Sequence, residues 1–227
     1  MSSTRRDFLG GVTQAGIGLA ASSQVLCATA AATAATPPPP PPFPTNGLLF
    51  PFGQPVGGIC QMSFVVEDIH RAIEKFTRRM RAGPWFLKEK FQSSYLYRGK
   101  PFEFHGSLAN GNAGHMQIEL IQQSDATPSP FTEVIHKRGY GLHHQALIVK
   151  DFQAQFDAFM ALGYEVVLDF RQPGDGNVYL DTNGDFPFFI ELNEATDRIV
   201  KAFTRAYQAS VGWDGKDPLR DFDLLMA

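Results

Sequence analysis

Cysteine is almost missing from this chain of 227 residues, which carries only Cys27 and Cys60. Once N-terminal processing removes the first, no intrachain disulfide can form. Even in an oxidising compartment the fold must then hold by burial, with bound metal as the other available clamp. Blocks of basic charge are missing too. Lysine and arginine number 20 against 23 aspartates and glutamates, a formal net charge of -3, and no basic run follows the first residues. That balance argues against nucleic acid or an anionic membrane surface as a partner. Long apolar runs are also absent. The Ala- and Gly-rich stretch near the N-terminus is interrupted by Thr13, Gln14, Ser22, Ser23 and Gln24, and falls short of the ~20 apolar residues that a spanning helix needs.

What is present begins with "MSSTRRDFLGG": Arg5 and Arg6, then Phe8 and Leu9, then mostly small residues as far as Thr36. This pattern looks like a twin-arginine export signal, the class used for proteins exported already folded, often with a cofactor loaded beforehand. It predicts a periplasmic or secreted protein with no membrane partner once the signal is cut. Cys27 follows the bulky Leu26, which does not suit a lipoprotein site, whereas small residues fit for cleavage abound from Ala28 to Ala35. The prolines from Pro37 to Pro42 lack amide donors and predict an extended, semi-rigid spacer. The expected organisation is a signal over 1–36, a proline-rich linker over 37–56, a main domain over 57–195 and a C-terminal helical extension over 196–227.

The main domain repeats itself. "QMSFVVEDIHRAIEKFTRRM" starts with a strand-like run from Gln61 to Val66, then turns at Glu67-Asp68 into a helical pattern carried by Ile69, Ala72, Ile73 and Phe76. "HQALIVKDFQAQFDAFMALG" does the same, with His144 to Val149 as the strand, Asp151 as N-cap, Phe152, Phe156, Phe159 and Met160 on one helical face, and Gly163 as the stop. Gln61 precedes Asp68 by seven residues, and His144 precedes Asp151 by the same seven. Each helix is followed by three strand-like stretches, and each copy ends in "IEL", which contains Glu119 and Glu191. The repeated unit is βαβββ, in modules spanning 57–125 and 139–195. After them, Ile199, Val200, Phe203, Ala206 and Tyr207 fall at helical spacing and predict a C-terminal helix.

The pieces "QMSFVVED", "GPWF", "MQIELIQ", "LHHQALIVKD" and "FFIELNE" resemble the vicinal oxygen chelate superfamily, that of glyoxalase I, methylmalonyl-CoA epimerase, extradiol dioxygenases and bleomycin-resistance proteins. The resemblance implies an α+β fold in which two tandem βαβββ modules form an open, curved, mixed sheet around a central cleft. It implies one divalent metal ion (Zn, Ni, Co, Mn or Fe) held by Gln61, Glu119, His144 and Glu191. Two carboxylates, an imidazole and an amide oxygen suit such ions, and a cation would relieve the cost of burying two glutamates together. His143, next to His144 on an extended strand, is expected to face away from the cleft, toward the layer between sheet and helix.

By the same resemblance the reaction is proton transfer alpha to a carbonyl, by a glyoxalase-like lyase or an epimerase/isomerase. Glu191 is the expected base and Glu119 the alternate. The quartet Gln, Glu, His, Glu matches the ligand pattern of eukaryotic glyoxalase I, while Gln61 stands where extradiol dioxygenases have a histidine. Export disfavours glutathione adducts and coenzyme A thioesters, so a different small, partly apolar substrate is expected, lined by aromatics drawn from Trp85, Phe86, Phe91, Tyr95, Tyr97, Phe102 and Phe104. His105, His115 and Tyr140 are secondary polar candidates. The competing class is a non-catalytic, bleomycin-resistance-like binding protein, followed by a dioxygenase. A homodimer is compatible with the resemblance.

Overall fold

The computed structural model describes residues 48–227; the expected export signal and most of the expected proline-rich linker lie outside the described residues. The first module consists of β1 (Ile59–Val65), α1 (Ile69–Met80), β2 (Trp85–Tyr97), β3 (Lys100–Ala113) and β4 (Met116–Gln123). A connecting helix follows, α2 (Pro130–Arg138). The second module consists of β5 (Gly141–Val149), α3 (Phe152–Ala161), β6 (Glu165–Asp169), β7 (Asn177–Asp181) and β8 (Phe189–Glu194), and the chain ends with α4 (Asp197–Ser210), β9 (Leu219–Asp221) and α5 (Asp223–Met226).

The helix starts follow from local chemistry. Asp68 accepts a hydrogen bond from the Arg71 amide at 2.9 Å, and Asp151 accepts one from the Ala154 amide at 3.0 Å. Each carboxylate thereby satisfies an amide that the first turn leaves without a carbonyl partner. Helix α2, which the repeat did not anticipate, has an equally local cause. Ser129 caps it, Pro130 occupies its first turn, and the Thr132 hydroxyl accepts a hydrogen bond from the Ser129 amide.

The strands form one mixed sheet in the order β3-β4-β1-β5-β8-β7-β6-β2-β9. Within each module the first and last strands lie parallel, β1 beside β4 and β5 beside β8, and the modules join through the antiparallel pair β1–β5. This is the expected pair of modules around a cleft. In addition, β2 pairs along its length with β3 while its last residues, Leu96 and Tyr97, pair with β6. The sheet therefore curves until its ends meet, closed where an open one was expected, because β2 is long enough to pair with β3 on one side and β6 on the other. The tight turn between β2 and β3 places Arg98 and Gly99 at φ 45° and 75°, left-handed values that a two-residue hairpin connection requires.

Alternation along the strands separates two environments. On β4, Ile118 and Leu120 pack with Ile69, Ile73 and Trp85 beneath α1, and on β8, Ile190 and Leu192 pack with Phe152 and Phe159 beneath α3. Gln117, Glu119 and Ile121, and likewise Glu191 and Asn193, line the cleft instead. The sequence left open which face of "QIELI" is apolar, and packing beneath α1 decides it. Residues 48–56, expected to end the linker, pack into the fold: Phe52 is 1% exposed, stacks on Phe50 at 5.0 Å, and lies in one cluster with Ile148, Ile199 and Phe203. Apolar residues broken up by Pro51, Gly53 and Pro55 carry no periodicity, so the pattern missed them. No helix among the described residues is long and apolar enough to cross a membrane.

Candidate active site

Four strands carry the expected quartet to one place. Gln61 stands on β1 and Glu119 on the parallel strand β4, where the register pairs Gln61 with Gln117 and Ser63 with Glu119. Across the module junction, Ser63 also pairs with His144 of β5, and β8 brings Glu191 alongside Ala146. His144 Nε2 lies 3.1 Å from Glu191 Oε2 and 3.4 Å from Glu119 Oε2. Gln61, Glu119 and Glu191 line one cavity of about 420 Å³, well within the range of small-molecule sites.

Burial leaves several polar atoms of this group without partners. The His144 ring is fully buried, and although both carboxylates are close, its Nε2 makes a hydrogen bond to neither. Gln61 donates from Nε2 to Gln117 Oε1 at 2.6 Å, which leaves its own Oε1 unpartnered, and Glu119 Oε2 is unpartnered as well. Three orphaned atoms of metal-ligating type in one place are costly unless something else engages them. Glu191 is better held: its Oε1 accepts from Asn177 Nδ2 at 3.2 Å, while the same amide bonds Asn193 Oδ1 at 2.9 Å.

Electrostatics point the same way. Burial raises the Glu119 carboxyl to about 7, opposed by the attraction of His144 and reinforced by the charge of Glu191. The Tyr179 phenol is pushed well up by burial and then by Glu191 and Glu119. Among the described residues, no group of three or more His, Cys, Asp or Glu side chains stands ready as a metal cage. The donor chemistry nevertheless fits a borderline divalent ion. Donors about 2.1 Å from one ion sit roughly 3.0 to 3.5 Å apart, and the contacts of His144 with the two carboxylates fall in that range.

His143 is not where alternation places it. Ser63 pairs with His144 and Phe64 with Leu142, so His143 is the additional residue of a β-bulge. A bulge breaks the two-residue period and re-aims a side chain. As a result His143 Nδ1 lies 2.8 Å from His144 Nδ1, and its ring packs on Phe131, Tyr179 and Phe189. Burial first, and then the neighbouring His144, hold its pKa well below the usual histidine value.

The rest of the cavity divides by chemistry. Of the seven aromatic residues singled out in the sequence, Phe91, Tyr95 and Phe104 line it. Trp85, Phe86 and Phe102 are core, and Tyr97 packs at the edge of the core cluster that includes Phe102. His105, His115 and Tyr140 lie elsewhere. His105 pairs with Asp125 at 3.1 Å, His115 stacks on Tyr207, and Tyr140 is exposed. Sequence reasoning overlooked Asn110, Gln117, Asn177 and Asn193 in the wall, and Phe222, Leu225 and Met226 contributed by the C-terminus. The first group had a usable signal: Gln117 and Asn193 sit two residues from Glu119 and Glu191, on the same strand face. The second had none, because only the path of the chain after α4 brings it there.

Residues 60–180 match the model of the glyoxalase/bleomycin resistance protein/dioxygenase superfamily. The chain belongs to that superfamily. The matched segment includes Gln61, Glu119 and His144 and stops before β8, which carries Glu191. Among solved structures of similar fold, methylmalonyl-CoA epimerase from Mycobacterium tuberculosis is 19% identical, over 63% of this chain and 91% of that one, with a TM-score of 0.45. A Streptomyces coelicolor methylmalonyl-CoA epimerase in complex with 2-nitronate-propionyl-CoA is 16% identical, over 62% and 99%, with a TM-score of 0.44. A hypothetical protein from Bacillus halodurans C-125 is 18% identical, over 62% and 95%, with a TM-score of 0.43. No curated protein matches the chain.

Proposed function

We propose that this superfamily member is an exported, metal-dependent enzyme that moves a proton on a carbon next to a carbonyl, as a lyase or an isomerase. The observation that carries this reading is the convergence of the buried His144 on Glu119 and Glu191, the two carboxylates of the cavity wall, with Nε2 of His144 hydrogen-bonded to neither. Gln61 through Oε1, Glu119, His144 through Nε2 and Glu191 would hold a divalent ion, which when bound supplies electrophilic polarisation of a substrate carbonyl.

The chain's own groups account for the remaining steps. Glu191 accepts the carbon-bound proton at Oε2, while Asn177 holds its other oxygen and so fixes the direction in which the free one points. Glu119, whose Oε2 lies 3.4 Å from His144 Nε2, is the second carboxylate in position to take the proton. Phe91, Tyr95, Phe104 and Phe170 wall the cavity with apolar surface. They exclude water and bind the apolar part of a small substrate. Export through the Arg5-Arg6 signal, to the periplasm or beyond, is part of the proposal, and it argues for a substrate other than a cytoplasmic thiol conjugate.

A second reading, ligand sequestration without chemistry, draws on the aromatic wall and on the lack of a ready three-residue cage among the described residues. Metal analysis of protein folded in the cytoplasm separates the two. One tightly held divalent ion per chain supports the enzyme, and a metal-free protein that binds apolar ligands supports sequestration.

A further inference from the structure

His143 has no part in the proposed metal set, yet it is fully buried and is brought against His144 by the bulge. The contact is between the two Nδ1 atoms, at 2.8 Å. Two ring nitrogens at that distance hold one proton between them, because one must donate and the other accept. A neutral imidazole carries a single N–H, so the position of this proton decides what each ring presents at its far nitrogen.

We propose that His143 is a positioning residue that sets the tautomer and orientation of His144 through the shared Nδ1–Nδ1 hydrogen bond. The proposal rests on the reading of His144 as a metal ligand. For Nε2 of His144 to offer a lone pair to a cation, the His144 proton must sit on Nδ1 and point at His143. His143 must then accept at Nδ1 and carry its own proton on Nε2. In the alternative arrangement His144 is protonated at Nε2, toward the carboxylates, and accepts at Nδ1 from His143. The pair keeps its Nδ1–Nδ1 hydrogen bond in either arrangement, and the two differ at the far nitrogens. Only the second puts an N–H on His144 Nε2, 3.1 Å from Glu191 Oε2. Only the first puts one on His143 Nε2, which is buried with no hydrogen-bond partner, so a cation at His144 Nε2 is what favours the first. Ring rotation cannot evade this coupling: Phe131, Phe189 and Tyr179 surround His143 at centroid distances of 4.9, 5.3 and 5.7 Å. Metal-bound histidines commonly donate their remote N–H to a carboxylate or a carbonyl. Here that place is taken by a neutral ring, which adds no third negative charge beside Glu119 and Glu191.

The test uses the full chain, with zinc affinity measured by competition against a chromogenic chelator. His143→Phe keeps an aromatic ring and removes the acceptor, and is expected to weaken zinc binding about 10- to 100-fold. His143→Asn, whose amide can stand in for Nδ1, is expected to recover most of that loss. Equal zinc affinity in His143→Phe and the parent overturns the proposal. Long-range 15N NMR of the parent's histidines keeps the test open should either variant misfold. The zinc-loaded protein should show His144 protonated at Nδ1 and His143 at Nε2, and a His143 proton on Nδ1 in that state overturns the proposal. In zinc-free protein one, and only one, of the two Nδ1 atoms should carry a proton; both or neither overturns it. A parent that binds no zinc defeats the metal reading alone, while the zinc-free spectrum still decides the hydrogen bond.

Discussion

In the first module the hairpin after the helix is built from strands of 13 and 14 residues; its counterpart in the second module has strands of 5 and 5. The long hairpin reaches β6 across the ring and contributes Phe91, Tyr95, Phe104 and Asn110 to the cavity. The short one is half buried and holds Glu191 in place through Asn177. Both modules nevertheless deliver one ligand candidate from the first strand and one from the last. The duplicated plan thus fixes where the reactive groups sit, while hairpin length is free to shape the wall against which a substrate lies. Of the four strands that carry these groups, β1, β5 and β8 take no register from the long hairpin, whereas β4 pairs on one side with its strand β3.

The largest expected asymmetry is chemical. Glu191→Gln keeps the shape and should retain metal while lowering turnover about 10²- to 10⁴-fold. Glu119→Gln is expected to cost less turnover and more metal affinity. Equal turnover in Glu191→Gln and the parent removes the base assignment.

Next in size is the packing beneath the helices. Leu120 and Leu192 are both fully buried, beneath α1 and α3 respectively. Leu120→Ala and Leu192→Ala should each lower unfolding free energy by about 2 to 5 kcal/mol in denaturant titrations. A much smaller cost at one of them would show that its layer collapses around the deletion, and that the two modules are not equally packed.

A smaller effect concerns pH in metal-free protein. The folded state holds a proton on Glu119 up to about 7, whereas the unfolded chain releases it near 4.5. Between those values the native state binds more protons, so stability is fully present below 4.5 and falls as pH rises toward 7 and above, by about 3 kcal/mol at most. Glu119→Gln should flatten that part of the profile and stabilise the metal-free protein at pH 8. A parent profile already flat between 4.5 and 7 would rule out the buried carboxyl as its source.

The smallest effects lie at the caps. Asp68→Ala and Asp151→Ala each remove one amide acceptor at equivalent positions and should cost about 0.5 to 2 kcal/mol. Thermal midpoints of the two variants measure whether the repeated signal has the same strength in both copies.

The seven-residue interval from Gln61 to Asp68 and from His144 to Asp151 was legible because a strand, a cap and a helix are each local. So were the two "IEL" strands and helix α4. Helix α2 was just as local, in Ser129 and Pro130, but it lies between the repeats and was passed over. The wall amides Gln117 and Asn193 could have been read from their spacing to the glutamates. His143 could not, since alternation holds only while pairing is regular, and a bulge is a property of two strands and not of one. The same limit applies to Phe52, buried by contacts with α4 far along the chain.

By itself, then, the sequence determined the repeated module, its helix starts and the four side chains worth watching, because caps, periods and spacings act over a few residues. Only the tertiary structure decided which face of β4 became the cleft and where β2 closes the sheet. It also placed one imidazole directly behind another. Each of these depends on register and packing between segments remote in sequence, whose energies no single stretch of the chain contains.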